Sequence, residues 1–253
     1  MLKVKIICCA VLAACLAVTA APYQTFKMDK KNYVPFDNSV TVTVDCPDPA
    51  AVQWLTKHFE EWYGAYAPKV VAAGGSRSRA TPDAQERVPP GDVAYVAETR
   101  ADGAKIAART LAGARWAAYT LRQLVIAKRG TFKTEGRILP TLEISDSPHL
   151  AFRAVHLCWF PEVRPQQMER AIRLAALLKF NYAIIELWGM YASAKHPWWH
   201  WPNPTMTKEE VRRLAAIGRD LGITLIPQIN AFGHASSSRG CTLKHMVLDL
   251  SPE

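Results

Sequence analysis

The chain has 253 residues, of which 49% are hydrophobic and 21% charged, and it carries a formal net charge of +9. This hydrophobic share is ordinary for a globular protein and excludes an intrinsically disordered chain. The basic residues are scattered along predicted helix faces and do not form a block, and no nucleic-acid-binding motif is present. The charge therefore indicates solvated helix faces, and we expect no nucleic-acid partner.

The N-terminus has the pattern of a secretory signal peptide. Lys3 and Lys5 precede an apolar run at residues 6–18, and the small residues 18–20 (Val-Thr-Ala) form a cleavage site. The apolar run is too short to span a bilayer. The pattern predicts a signal peptide over residues 1–21 and a secreted or periplasmic protein.

The cysteines allow one alternative to ordinary secretion. Residues 12–15 (Leu-Ala-Ala-Cys) resemble a bacterial lipobox, in which Cys15 would be lipidated. The protein would then be a lipoprotein at the cell envelope, and we expect membrane anchoring in that case alone. Past the leader, Cys46, Cys158 and Cys241 are an odd number at wide spacing, which is typical of neither a disulfide framework nor a zinc motif.

The first half of the mature chain reads as a small α/β domain. Residues 40–44 alternate between valine and threonine, which predicts a half-buried strand, and Asp48-Pro49 is a helix start. Further strands are predicted at residues 93–97 and 105–108, and a second helix over residues 110–127. The apolar stripe of the first helix consists of Val52, Leu55, Phe59, Trp62 and Tyr66. No catalytic motif occurs in this half.

The second half alternates strands and helices. Strands are predicted at residues 154–160, 181–187 and 223–229, separated by helices that begin at Pro165 and at Thr207. Thr207 and Glu210 have capping-box spacing, and Gly222 ends that helix. Strand–helix alternation with short connections predicts a parallel sheet.

Candidate functional residues follow the last two predicted strands. Gln228, Asn230 and His234 cluster at or just past the end of one strand, and Glu186 and Trp188 end the strand before it. The carboxyl ends of parallel strands are where α/β proteins place their chemistry. For Glu186 the sequence supports two interpretations equally: a buried carboxylate with a role in the site, or a structural partner of an arginine.

A tryptophan-rich loop at residues 196–201 contains His196 and His200 at metal-like spacing. Pro197 argues against the helix that would align these two histidines, so we predict no metal site there. The tryptophans of the loop would either stack on sugar faces or pack against the protein.

Three segments of the sequence carry a family resemblance: residues 138–155 (ILPTLEISDSPHLAFRAV), residues 114–124 (ARWAAYTLRQL) and residues 222–235 (GITLIPQINAFGHA). Together they resemble glycoside hydrolase family 20, the β-N-acetylhexosaminidases. With the Lys-Phe-Asn of residues 179–181, the resemblance covers the chain from about residue 22 to its end.

The resemblance implies the α/β fold class, with a small, zincin-like noncatalytic α/β domain at residues 22–148. Residues 149–253 would then be the first part of a (β/α)₈ TIM barrel, with about three of its eight strands. It also implies a retaining exo-hydrolase in which the substrate's own acetamido oxygen attacks the anomeric carbon, assisted by an Asp that orients the acetamido group and a Glu that acts as acid and base. No metal or other cofactor is needed in that family, and the expected partner is a glycan or amino-sugar substrate.

Single residues carry over from the family only in part. Arg153 matches the substrate-binding arginine, with a structural ion pair to a carboxylate such as Asp146 as the alternative. His234 matches the histidine of the family's Gly-His motif beside the catalytic carboxylates. Gln228 and Asn230 stand where the family has Glu and Asp.

The segment from Glu186 to Trp188, which we expect to bind substrate, replaces a histidine-rich strand end. The catalytic Asp-Glu pair of the family is expected beyond Glu253, so the catalytic residues are not assigned.

The sequence thus predicts a secreted hydrolase that removes terminal N-acetylhexosamine, encoded here as a fragment or a defective product. One alternative is an exo-glycosidase with another sugar specificity. The other is a truncated carbohydrate-binding or inert protein.

Overall fold

The computed structural model describes residues 25–74, 85–127, 137–195 and 204–229. The predicted signal peptide, the loop at residues 196–201, Asn230 and His234 lie outside the described residues. The chain divides into two compact units, Met1–Ala151 and Phe152–Glu253. No helix in the described ranges has the length and apolar character needed to cross a membrane.

The first unit is built on one mixed sheet. Its strands lie in the order β1-β7-β4-β5-β2-β3, and the short β6 pairs with β7. The strand bounds are β1 Thr25–Pro35, β2 Thr41–Asp45, β3 Lys69–Ala72, β4 Tyr95–Arg100, β5 Gly103–Ala108, β6 Ile126–Ala127 and β7 Arg137–Asp146. The helices are α1, Ala50–Tyr63, and α2, Leu111–Leu124, and they pack against each other and the sheet.

Strand β2 confirms the alternation read from the sequence. Val42 and Val44 are almost completely buried, whereas Thr41 and Thr43 are half-buried. The strand runs parallel to both β3 and β5, so it lies inside the sheet although its threonine face is partly exposed to solvent. The valines therefore point into the core shared with the helices.

Strand β7 was not predicted, although it pairs with both β1 and β4. Pro140 in its middle lacks a backbone N–H, which argues against a central strand. The Thr99 hydroxyl compensates on the β4 side, since it donates to Pro140 O at 2.6 Å and accepts from Leu142 N at 2.9 Å. The Thr99 side chain thus satisfies backbone groups of Pro140 and Leu142 beside the interruption that the proline makes in the ladder.

Both helices of the first unit end earlier than their apolar stripes predict. Helix α1 stops at Tyr63 because Gly64 takes a positive φ of 59°, so Tyr66 lies in a short 3₁₀ turn. Helix α2 stops at Leu124, and the predicted helical extension to residue 127 is wrong because Ile126 and Ala127 pair with β7. Tertiary pairing overrides local periodicity at both ends.

The second unit contains three parallel strands in the order β10-β9-β8, which confirms the predicted parallel pairing. The strand bounds are β8 Ala154–Cys158, β9 Tyr182–Glu186 and β10 Thr224–Gln228. Helix α3, Pro165–Leu177, follows β8, and helix α4, Lys208–Leu221, precedes β10.

Helix α4 has the predicted caps at both ends. The Thr207 hydroxyl accepts from Glu210 N at 3.2 Å, and Gly222 adopts a left-handed φ of 82°. The carboxylate of Glu210 bonds Arg213 Nε at 2.7 Å. The end of the helix lies close to β10, since a Cβ on Gly218 would come within 2.8 Å of Ile223 O.

Candidate functional site

The parallel register brings polar side chains into one row at the carboxyl edge of the second sheet. Cys158 pairs with Glu186, and Glu186 pairs with Gln228. Residues opposite one another on parallel neighbours lie on the same face of the sheet. A thiol, a carboxylate and an amide therefore share one face at the edge where α/β proteins gather functional groups.

Glu186 is the centre of this row. It is 3% exposed, and its Oε2 accepts a hydrogen bond from Cys158 Sγ at 3.2 Å. The same oxygen lies 3.3 Å from His156 Nε2, whose side chain is 45% exposed. His156 and Cys158 are two residues apart on β8, so both side chains project to the face that Glu186 occupies.

The thiol of Cys158 is held in its neutral form. Burial raises its pKa, and the hydrogen bond to Glu186 and the negative charge of that carboxylate raise it further. A side-chain hydrogen bond with Trp188 acts in the opposite direction. Cys158 is therefore a hydrogen-bond donor to Glu186 in this arrangement, while its sulfur remains next to His156, at 3.9 Å from Nδ1.

Trp188 lies just past the end of β9 in an unusual backbone conformation. Its φ is +36°, and the following Gly189 also has a positive φ, of 68°. A bulky residue with positive φ is strained by about 1–3 kcal/mol, and such strain is concentrated at functional sites. The Trp188 ring lies 5.0 Å from the Phe160 ring at an interplanar angle of 43°, and Phe160 is 40% exposed.

Backbone hydrogen bonds hold the carboxyl ends of β8 and β9 in place. Trp159 N donates to Glu186 O at 2.9 Å, and Leu187 N donates to Gln228 O at 3.1 Å. The Trp159 side chain is fully buried, and its Nε1 donates to Thr205 Oγ1 at 2.9 Å. These hydrogen bonds fix the segments that follow β8 and β9 to the neighbouring strands, so the backbone positions of the row are fixed as well.

Arg153 lies at the opposite edge of the sheet. Its Nε donates to Lys179 O at 3.1 Å, and its backbone N donates to Asn181 Oδ1 at 2.9 Å. It precedes Cys158 by five residues, which is about 16 Å along a strand. The structure brings Glu186, Trp188 and Gln228 to one edge and places Arg153 at the other.

Sequence reasoning missed His156 and Cys158. The i, i+2 spacing of the two residues in a predicted strand was a signal that they share a face. Their proximity to Glu186 depends on the register between β8 and β9, which the sequence does not reveal. These three residues offer nitrogen, sulfur and oxygen donors within 4.8 Å of one another.

The chain is an α/β protein, with a mixed α/β unit followed by a unit of parallel strands and helices. Polar groups lie at the carboxyl ends of the parallel strands, where α/β proteins place their functional sites. Residues 22–147 match the family model described as glycosyl hydrolase family 20, domain 2. By this domain the chain belongs to glycoside hydrolase family 20, which confirms the resemblance read from the sequence. No curated protein sequence matches the chain.

Solved structures of family 20 enzymes share the fold. The exo-β-N-acetylglucosaminidase of Vibrio harveyi, in complex with N-acetylglucosamine, is 20% identical with a TM-score of 0.63, and the match covers 90% of this chain and 37% of that one. The β-N-acetylhexosaminidase of Streptomyces coelicolor A3(2) is 17% identical with a TM-score of 0.65, covering 87% and 49%. The chitobiase of Flavobacterium johnsoniae is 19% identical with a TM-score of 0.63, covering 85% and 35%.

The chain thus spans less than half the length of these relatives. At these identities the likeness establishes the mixed α/β fold.

Proposed function

We propose that the protein is a secreted glycoside hydrolase that removes terminal N-acetylhexosamine from glycans. The observation that carries the proposal is the family 20 domain at residues 22–147. The fold shared with a chitobiase and with N-acetylhexosaminidases supports it.

The proposal extends to the architecture. Residues 22–148 are the noncatalytic domain of zincin-like type, and residues 149–253 are the first βα units of the TIM barrel. The parallel order β10-β9-β8 with intervening helices is what such a barrel needs at its start. The row of Cys158, Glu186 and Gln228 would then face the barrel axis.

Within this site we assign substrate contacts to Glu186 and Trp188. A buried carboxylate at a strand end accepts hydrogen bonds from sugar hydroxyls, and charged acceptors make the stronger bonds. The Trp188–Phe160 pair offers an aromatic surface beside it, on which the apolar face of a pyranose can lie. Gln228 adds a neutral amide to the same row.

The reaction proposed is retaining hydrolysis with substrate assistance. The acetamido oxygen of the substrate attacks C1, the glycosidic bond breaks, and the leaving oxygen takes a proton from a general acid. Water then opens the oxazolinium ion with the same group acting as base. The Asp-Glu pair that the family uses for these steps is not assigned to described residues.

Arg153 matches the family's substrate-binding arginine in sequence, but in this protein we propose a structural function for it. Its bonds to Lys179 O and to Asn181, at the amino edge of the strands, support a structural function in that turn. His234 and Asn230 lie outside the described residues, and we propose that they neighbour the catalytic carboxylates.

The decisive experiment compares two chromogenic substrates. The protein is produced from its native gene, with any coding sequence downstream of the Glu253 codon, and is assayed on 4-nitrophenyl N-acetyl-β-D-glucosaminide and on the corresponding β-D-glucoside. We expect hydrolysis of the first and none of the second. Equal rates on both substrates would exclude substrate assistance and support an exo-glycosidase of another specificity.

A binding measurement separates the remaining alternative. Calorimetric titration with N-acetylglucosamine, run on the same preparation, reports association independently of turnover. Binding without any hydrolysis would contradict the hydrolase proposal and identify a carbohydrate-binding protein.

A further inference from the structure

We propose that His156, Cys158 and Glu186 bind one zinc ion at the carboxyl edge of strands β8 and β9. This inference concerns the same sheet edge as the proposed hydrolase site, but it does not rest on that function. It departs from the expectation that the protein needs no metal. The chemistry of the three donors and their separations carry it.

The separations of the Glu186 oxygen from the other two donors are close to those of a tetrahedral zinc site. Zinc bonds of about 2.0–2.3 Å to nitrogen, oxygen and sulfur place neighbouring ligand atoms about 3.3–3.6 Å apart. Here Cys158 Sγ and His156 Nε2 lie 3.2 Å and 3.3 Å from Glu186 Oε2, and Cys158 Sγ lies 3.9 Å from His156 Nδ1. Shifts of a few tenths of an ångström, together with a turn of the exposed imidazole, bring one nitrogen, the sulfur and the oxygen around a common point.

The donor types select the metal. A thiolate is a soft ligand and an imidazole is a borderline one, and the combination with one carboxylate oxygen suits zinc, whereas calcium and magnesium prefer oxygen ligands alone. Among the described residues, this group of three donors is held within 4.8 Å. Binding displaces the thiol proton of Cys158, so the neutral thiol bonded to Glu186 is the metal-free state of the site.

The surroundings resemble those of a metal site with one open position. Glu186 is 3% exposed, and its backbone carbonyl is fixed by Trp159 N, so the carboxylate has little freedom. His156, at 45% side-chain exposure, leaves the fourth position accessible to water or to a hydroxyl group of a ligand.

A cation at this point would interact favourably with the buried carboxylate of Glu186, because a carboxylate removed from water is stabilised by a nearby positive charge. A zinc ion compensates both the carboxylate and the thiolate, and it does so beside the Phe160–Trp188 pair. The site would thereby carry a Lewis acid next to an aromatic surface.

Cobalt substitution tests the proposal directly. The purified full-length protein is stripped of metal with a chelator and titrated with Co²⁺, which reports a cysteine ligand through a thiolate-to-cobalt charge-transfer band. We expect one Co²⁺ per chain, displacement by Zn²⁺, and loss of the band in Cys158→Ser. In His156→Gln and Glu186→Gln, the zinc affinity should fall by more than the roughly 10–100-fold that the loss of an outer contact costs.

Matched variants keep the test specific. Cys46 is the other described cysteine and is also half-buried, so Cys46→Ser controls for general thiol binding, and the exposed His149→Gln controls for His156→Gln. Retention of the band in Cys158→Ser, equal losses in both histidine variants, or no stoichiometric Co²⁺ binding by the wild-type protein would each overturn the proposal.

Should Cys158→Ser not fold, His156→Gln decides, because the His156 side chain is 45% exposed and lies outside the core. No sugar enters the measurement, so failure of the zinc site leaves the hydrolase proposal standing, and an inactive hydrolase leaves the zinc site standing.

Discussion

At the scale of single residues, the buried carboxylate of Glu186 determines the chemistry at the carboxyl edge of the second sheet. A charged group that is 3% exposed costs free energy unless it is bonded, and this one holds Cys158 and lies beside His156. A protein that needed only a filled core would place an apolar residue at this position. The polar row is therefore the feature of this edge on which both proposals depend.

The first prediction concerns Glu186 in hydrolysis. Glu186→Gln keeps the shape but removes the charge, and a hydrogen bond to a charged group contributes about 1.5–3 kcal/mol. We expect kcat/KM for the chromogenic N-acetylglucosaminide to fall roughly tenfold to a hundredfold. Glu209→Gln, at a side chain that is 77% exposed, is the control and should leave the rate unchanged. Equal rates in the two variants would remove Glu186 from the site.

The sequence predicted part of this edge and missed part of it. Glu186, Trp188 and Gln228 were found because a polar residue that ends an apolar run is visible in the sequence. His156 and Cys158 were missed because they are flanked by apolar residues within a strand, and because strand register is a three-dimensional property. Arg153 was found by resemblance, and the structure places it at the amino end of the strands, before the apolar run.

At the scale of elements, helices α3 and α4 are joined by a charged contact. Arg213 Nη1 lies 2.5 Å from Glu169 Oε2, and Arg173 Nε lies 2.9 Å from the other oxygen of the same carboxylate. The hydrogen bond from Arg213 is the main cause of the lowered pKa of Glu169. Because the arginine is 40% exposed, solvent screens the pair and limits its contribution to stability.

The second prediction follows from that pKa. Arg213→Gln should lower the free energy of unfolding at neutral pH by about 0.5–1 kcal/mol. A carboxyl whose folded pKa is depressed contributes stability above its unfolded pKa, near 4.5, and loses that contribution as the pH falls through the folded value. The difference between wild type and variant should therefore vanish in acid.

Denaturant unfolding across the pH range measures this difference. Arg212→Gln is the matched control, because Arg212 pairs only at 3.9 Å with Glu209 and both side chains are mostly exposed. A pH-independent difference for Arg213→Gln would show that the arginine acts through packing and not through Glu169.

The third prediction concerns the contact between α4 and β10. An added Cβ at Gly218 would lie 2.8 Å from Ile223 O and 3.4 Å from the Leu225 side chain. Alanine is the better helix former by about 1 kcal/mol, but the backbone oxygen cannot move without shifting the strand. We expect Gly218→Ala to lower the free energy of unfolding by about 1–2 kcal/mol. Gly74→Ala, with nothing within 4 Å, is the control and should be close to neutral.

The elements also show where sequence periodicity is enough and where it is not. The three described strands of the second half were predicted to within two residues at their ends, because each is a largely apolar run next to a helix boundary, although only β9 contains buried residues. In the first half, β3 and β7 were missed. Strand β3 has four residues, and β7 contains a proline next to which Thr99 bonds the strand backbone, a contact that only the folded structure shows.

At the scale of the whole molecule, the predicted N-terminal leader would decide where the protein acts, and it bears on both proposals. A hydrolase exported by this leader would meet its glycans outside the cytoplasm, and a zinc-binding thiol would have to stay reduced or metal-bound in an oxidising compartment. The two leader types lead to different locations: a signal peptide over residues 1–21 releases the protein, whereas lipidation of Cys15 holds it at the membrane surface.

The fourth prediction separates the two leaders. We expect the mature protein, purified from its native host and analysed by mass spectrometry, to begin near residue 22 with a free amino group. Cys15→Ser should then be exported and processed like the wild type, because Cys15 is removed with the leader. A mature chain that begins at an acylated Cys15, and a Cys15→Ser variant that stays unprocessed, would instead establish an envelope lipoprotein. A single acyl chain binds membranes only marginally, so stable anchoring in that case requires the multiple acylation that such a cysteine receives.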